Sequence, residues 1–223
     1  MDAPDVATDV LAACLTDLAK VNTVTLARPP TLRWLRRATA GLPRGASFSL
    51  LDVGYGQGDM LRAICRWAQK AGLRPRLVGV DLSPASALAA RAATDPALPI
   101  DYRVGDIFDL ALDAPPDFVV SSLVAHHMTP DLLIRFIAWM EAESRRGWFI
   151  NDLHRHPVAF YGFQALSVAA AWHPFVRHDG PISVARAFIH KDWSQMLQGA
   201  GLDKAAVEIA WRFPFRLCVG RIK

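Results

Sequence analysis

Cysteine is scarce in this chain: Cys14, Cys65 and Cys218 lie far apart, with no CxxC spacing. That speaks against a disulfide framework and against a zinc site. Runs of one charge are missing too. The basic residues are nearly all arginine, scattered, with no run longer than Arg36-Arg37 or Arg145-Arg146. The formal charge of +4 therefore reads as a solvated surface, not as a face for nucleic acid. No apolar stretch reaches the ~20 residues of a bilayer span. The longest runs from Val158 to Trp172, is interrupted by Gln164 and is flanked by His156 and His173; it reads as a buried or lid helix. The opening MDAPDVATD is acidic and lacks the basic-then-apolar order of a signal peptide. A cytoplasmic protein without stable membrane insertion, monomeric or homodimeric, is expected.

What is present fits a globular enzyme. The 223 residues are 52% hydrophobic and 21% charged, enough for a sizeable core in one domain. Residues 1–45 look like a helical cap: Val6, Val10, Leu11, Leu15 and Leu18 share one helical stripe, and Pro29-Pro30 opens a second segment. From there the period changes. Apolar strands at 48–53, 76–80, 100–104, 117–122 and 147–151 alternate with helical segments at 59–72, 84–94 and 130–144. That rhythm predicts βαβ units, hence an α/β, Rossmann-like, doubly wound and mostly parallel sheet. Residues 46–223 form this domain. About 35 residues rich in aromatics and histidine interrupt it, read as a lid or acceptor-pocket insertion at 154–190. A helix at 191–199 resumes the pattern, and two apolar runs joined at Pro214 predict a terminal antiparallel pair.

The segment LLDVGYGQGDML, residues 50–61, places glycines on alternate positions after a strand. A phosphate loop would need GxxxxGK[ST], and a dinucleotide fingerprint needs GxGxxG. Here Asp59 stands where the third glycine of the latter would pack, and an acid sits poorly beside a pyrophosphate. The loop suits a ligand without phosphates.

The pattern D-x-G-x-G-x-G resembles motif I of the class I S-adenosylmethionine-dependent methyltransferases. Three further segments follow in that family's order: RLVGVDLSP at 76–84, YRVGDIFDL at 102–110 and DFVVSSLVAHHM at 117–128. The resemblance covers about residues 50–202. It implies a seven-stranded sheet with a reversed last strand and S-adenosyl-L-methionine as cofactor. It also implies that Asp52, Gly54, Tyr55, Gly56 and Gly58 meet the amino-acid end of that cofactor. Asp81 and Leu82 would meet the ribose, Asp106 and Ile107 the adenine, and Ser122 and Leu123 the methyl-bearing centre.

For the acceptor, His127 follows the fourth strand and His154 opens the insertion, so both are candidate catalytic residues, with His126 behind them. A metal-assisted mechanism would draw on Asn151 and Asp152, but Ser122 and Leu123 stand where a further carboxylate would be wanted; no metal is expected. The insertion supplies Phe160, Tyr161, Phe163, Trp172 and Phe175, favouring a small, largely apolar acceptor. The segment INDLHRHPVAFYGF looks similar to small-molecule methyltransferases of bacterial aromatic polyketides and phenolic lipids. O-methylation of a phenolic or polyketide-like hydroxyl is therefore expected, a role in secondary metabolism. C-methylation of a quinone-type ring, or a cofactor-binding partner without chemistry, are the competing readings.

Overall fold

A computed structural model describes residues 18–170, 172 and 174–223. Seven strands form one sheet: β1 (Ser47–Val53), β2 (Arg74–Asp81), β3 (Ile100–Val104), β4 (Phe118–Ser122), β5 (Gly147–Leu153), β6 (Glu208–Arg212) and β7 (Arg216–Ile222). Their order is β3-β2-β1-β4-β5-β7-β6. Strands β1 to β5 pair in parallel. Strand β7 runs antiparallel to both neighbours, inserted between β5 and β6. This is the α/β, doubly wound sheet with a reversed last strand that the periodicity and the resemblance predict.

The helices are α1 (Arg28–Ala38), α2 (Asp59–Lys70), α3 (Pro84–Ala92), α4 (Pro130–Glu143), α5 (Pro157–Ala169), α6 (Pro174–Arg186) and α7 (His190–Gly199). Residues 18–24 are also helical. Of the N-terminal stripe only Leu18 is described; Val6, Val10, Leu11 and Leu15, like Cys14, lie outside the described residues.

Local chemistry explains these starts and stops. Pro130 sits in the first turn of α4, and the Thr129 hydroxyl accepts from the Leu132 amide at 3.3 Å, a capped start. Helix α2 buries Leu61, Ile64, Cys65 and Ala68, all fully enclosed, one stripe at helical spacing. Helix α3 buries Ala85, Ala87, Ala89 and Ala90, small residues that let it lie close to the sheet.

The sheet is covered on both faces, as a parallel sheet must be. On one face Phe48, Leu50, Phe118 and Phe149 pack with Leu61 and Ile64 and with Trp34 of α1; Trp34 stacks on Phe149 with centroids 5.2 Å apart. On the other, Leu51, Val119, Trp148 and Ile150 meet Phe136, Met140 and Trp193. Each such side chain contributes about 1.5–3 kcal/mol by leaving water. The aligned carboxyl ends of β1, β2, β4 and β5 then form one edge, where an open α/β sheet takes its ligands.

The insertion folds as two helices, α5 and α6. Helix α5 is apolar almost all round but buries only Ala159 and Ser167, leaving Val158 and Tyr161 exposed. It is not a core helix. Gly180 in α6 lies where a Cβ would meet the Phe163 ring of α5, so the two helices touch at a glycine.

Candidate active site

A cavity of about 1290 Å³ opens along that carboxyl edge. One drug-sized ligand needs roughly 300–1,000 Å³, so there is room for a cofactor and an acceptor together. Its walls come from the β1–α2 loop, the ends of β2, β3, β4 and β5, helices α5 and α6, residues 18–27 and the turn before β7.

The glycine loop is built by left-handed backbone. Gly54 has φ 75° and Gly58 φ 76°, a region L side chains rarely adopt. A Cβ on Gly54 would collide with Val124, and one on Gly58 with the Tyr102 hydroxyl. Gly58 starts α2 behind the loop, outside the cavity wall; Gly54, Tyr55 and Gly56 border it. The Tyr55 ring itself is buried, 4.9 Å from Tyr102, and burial pushes its hydroxyl well above the usual phenol range.

Asp81 holds this loop to the next one. Its two carboxylate oxygens accept from the Gly56 and Ser83 amides, each at 2.9 Å. Asp106 accepts from the Phe108 amide at 2.9 Å, a tight turn that leaves Ile107 buried against the cavity. Leu82 stands exposed on the rim, and Ser122 and Leu123 line the floor. Leu123 carries φ 63° and Phe215 φ 57°; two strained non-glycine residues on one cavity wall are the pattern seen at functional sites.

Asp52 tests whether this loop fits a cofactor with an ammonium group. It is fully buried, lines the cavity, and neither carboxylate oxygen has a hydrogen-bond partner. Burial, with Asp59 and Asp81 adding to it, pushes the carboxyl well above the usual carboxylate range. Burying an unpaired carboxylate costs several kcal/mol, so the position calls for a cation. A protonated amine would satisfy it and a phosphate would aggravate it.

Across the floor lies a second acid in the opposite state. Asp152 is completely buried; Oδ1 lies 2.7 Å from Nδ1 of His126, and Oδ2 accepts from the His126 amide at 2.9 Å. The Leu153 amide donates to Oδ1 at 2.7 Å. Burial pushes this carboxyl up, but the charge of His126 and these hydrogen bonds outweigh it and hold the group below the usual range. An ionised carboxylate can only accept, so Nδ1 donates; in the neutral imidazole the lone pair is then on Nε2. His126 is buried yet borders the cavity; His127 borders it too, exposed, with the two rings 4.2 Å apart.

His154 is elsewhere. It is absent from the cavity wall, bridges Phe188 and donates its amide to the Phe215 carbonyl at 2.9 Å. Burial and neighbouring His156 push its imidazole down. Asn151 is committed as well: its amide donates to the Ala27 carbonyl at 2.6 Å and to the Thr31 hydroxyl at 3.2 Å. It ties α1 to the sheet. Among the described residues no group of three or more His, Cys, Asp or Glu side chains is placed to hold a metal ion, and no helix is long and apolar enough to cross a membrane.

Sequence reasoning passed over Arg216. It is 1% exposed on the cavity wall. Nη2 donates to the Thr25 hydroxyl at 3.1 Å, while Nε and Nη1 are buried without a partner. Burial pushes the guanidinium down, with the charge of Asp152 opposing. Only the antiparallel register of β5 and β7, which sets Arg216 opposite Leu153, brings it here.

An open α/β sheet with a reversed strand, and a glycine loop at a buried acid, match what the resemblance implies for a methyl-donor site. The comparisons agree. Residues 50–144 match the family described as methyltransferase domain. The "Ubiquinone biosynthesis O-methyltransferase" of Xanthomonas euvesicatoria pv. vesicatoria (strain 85-10) is 29% identical over 130 residues, 56% of this chain and 50% of that protein. The chain spans about half the length of the curated relatives it matches. The plantazolicin methyltransferase BpumL in complex with SAH shares the fold with a TM-score of 0.70 at 14% identity, covering 100% of this chain and 91% of that one. Magnesium protoporphyrin IX methyltransferase from Synechocystis PCC 6803 does so with a TM-score of 0.55 at 17% identity, over 100% and 90%. Over residues 50–144 the chain is thus similar to the methyltransferase-domain family, and its whole fold is that of solved methyltransferases.

Proposed function

We propose that this chain transfers a methyl group from S-adenosylmethionine to the hydroxyl of a small, largely apolar acceptor, phenolic or polyketide-derived. The observation that carries the reading is the His126–Asp152 pair, opening on the same cavity as the glycine loop and an apolar lid. The cofactor supplies a methyl on a positively charged sulfur that departs as a neutral thioether. Asp52 takes the ammonium, Asp81 the ribose hydroxyls, and Ile107 and Leu82 pack the adenine. His126 removes the acceptor's proton at Nε2 as its oxygen takes the methyl; Asp152 fixes the imidazole's tautomer and stabilises the charge it gains. His127, beside it, contacts the acceptor. The lid residues Val158, Phe163 and Leu166 exclude water from the exchange.

An oxygen acceptor is supported by the base pair and by relatives named as O-methyltransferases. The test is transfer of labelled methyl to a panel of phenols. Turnover of amines or ring carbons alone would overturn it.

A further inference from the structure

Arg216 lines the cavity and has no part in the methyl-transfer reading. Arg216 is 1% exposed, and Nε and Nη1 carry three N–H bonds with no acceptor. Its single anchor is Thr25, whose hydroxyl and carbonyl both face Nη2. A guanidinium held this way is not a solvated surface arginine.

Its place in the sheet separates it from the donor's end of the cavity. Asp52 is the last residue but one of β1 and Arg216 begins β7, three strand spacings apart in the order β1-β4-β5-β7, about 14 Å at ~4.8 Å per strand. The cation needed by Asp52 and the anion needed by Arg216 thus belong to different parts of what fills the cavity. Leu153 faces Arg216 across the strand pair and Pro214 and Phe215 precede it; elsewhere the wall carries the apolar Val158 and Leu166 together with His178, Asp179 and Arg186. Asp152 lends it a long-range field, but makes no direct ion pair, being fully occupied by His126 and Leu153.

We propose that Arg216 sets acceptor specificity by pairing with a carboxylate on the acceptor, so that the substrates are hydroxy-aromatic or polyketide acids with an apolar body. This rests on the methyl-transfer reading. A planar carboxylate matches both the charge and the fork of donors that the guanidinium leaves open. A neutral ester or phenol offers the donors an acceptor but no counter-charge. The carboxylate and the hydroxyl to be methylated sit on one ring, between Arg216 and the His126 imidazole.

The test is binding, read by calorimetry on the SAH-saturated full chain, with 4-hexylsalicylic acid, its methyl ester and 3-hexylphenol. The acid should bind about tenfold to a hundredfold tighter than either neutral probe, the range for a hydrogen bond to a charged group. Arg216→Met should bring the three to within a few-fold, Arg216→Lys should restore part of the preference, and SAH affinity should stay unchanged in both. The wild-type series alone decides if the Met variant does not fold: equal affinity for the three probes overturns the proposal. So does a preference that survives in Arg216→Met, or a parallel loss of SAH affinity, which would assign Arg216 to the cofactor. Labelled-methyl assays run beside it separate the two readings. An Arg216-dependent preference without transfer to any hydroxyl leaves the pairing standing and removes the O-methylation.

Discussion

His126 and Asp152 are joined twice, side chain to side chain at 2.7 Å and backbone amide to carboxylate at 2.9 Å. The double attachment fixes both the ring's direction and its tautomer. Asp152→Asn keeps the shape but removes the charge that stabilises a protonated imidazole. Turnover should fall ~10²–10⁴-fold, with SAH affinity within about twofold of wild type. Single-turnover kinetics and calorimetry on the same preparation check it; an undiminished rate would make the pair structural.

Asp52 gives a prediction about pH. Its folded carboxyl lies above the unfolded value of about 3.9. Its favourable contribution is therefore complete below that value and is lost as pH rises through the folded one. Asp52→Asn should melt higher than wild type near neutral pH without cofactor, and the difference should vanish on acidification below about 4. SAH affinity should weaken on acidification in wild type, as the carboxyl regains its proton. The variant should bind weakly throughout, without that slope. Thermal melts and calorimetry at several pH values read both.

Asp152 runs the other way. Its folded carboxyl lies below the usual range, so the stability it provides is present above the unfolded value and is lost as pH falls through the folded one. Acid unfolding of wild type should therefore be steeper than that of Asp152→Asn in the region below about pH 4, as followed by circular dichroism.

Asp81→Ala should weaken SAH binding by ~1–3 kcal/mol. Two amides, of Gly56 and Ser83, lose their acceptor, besides any ribose contact. Hydrogen exchange should rise in residues 54–58; equal affinity would remove Asp81 from the site.

Gly180→Val should wedge α6 from α5, because a Cβ there meets the Phe163 ring. Acceptor KM should rise several-fold while SAH affinity holds, since the loop side of the cavity is untouched. A matched loss of both would mean the lid shapes the whole cavity.

Much of this was legible from residues alone. Strand β3 falls at Ile100–Val104, as the apolar run predicts, and β2 extends its predicted core by two residues at the start and one at the end, to Arg74–Asp81. Every residue the resemblance assigns to the cofactor borders the cavity except Gly58, because these positions hang on strand ends that periodicity locates. The acceptor side was harder to read. His154 looked eligible by its place after β5, but it lies just past the last strand residue, Leu153, where its amide is tied to the Phe215 carbonyl and it does not border the cavity. Arg216 was invisible because its position depends on a pairing across more than sixty residues, Leu153 with Arg216. No local signal encodes that register.

The insertion of β7 between β5 and β6 has a corollary for local stability. Strand β6 has no bond to β5 and joins the sheet only through β7, and the turn of this β6–β7 hairpin carries Phe215 into the wall beside Arg216. Whatever grips Arg216 from inside the cavity also clamps that hairpin to its neighbour. Slower amide exchange along β7 in the ternary complex than in the SAH complex would be the signature of that clamp.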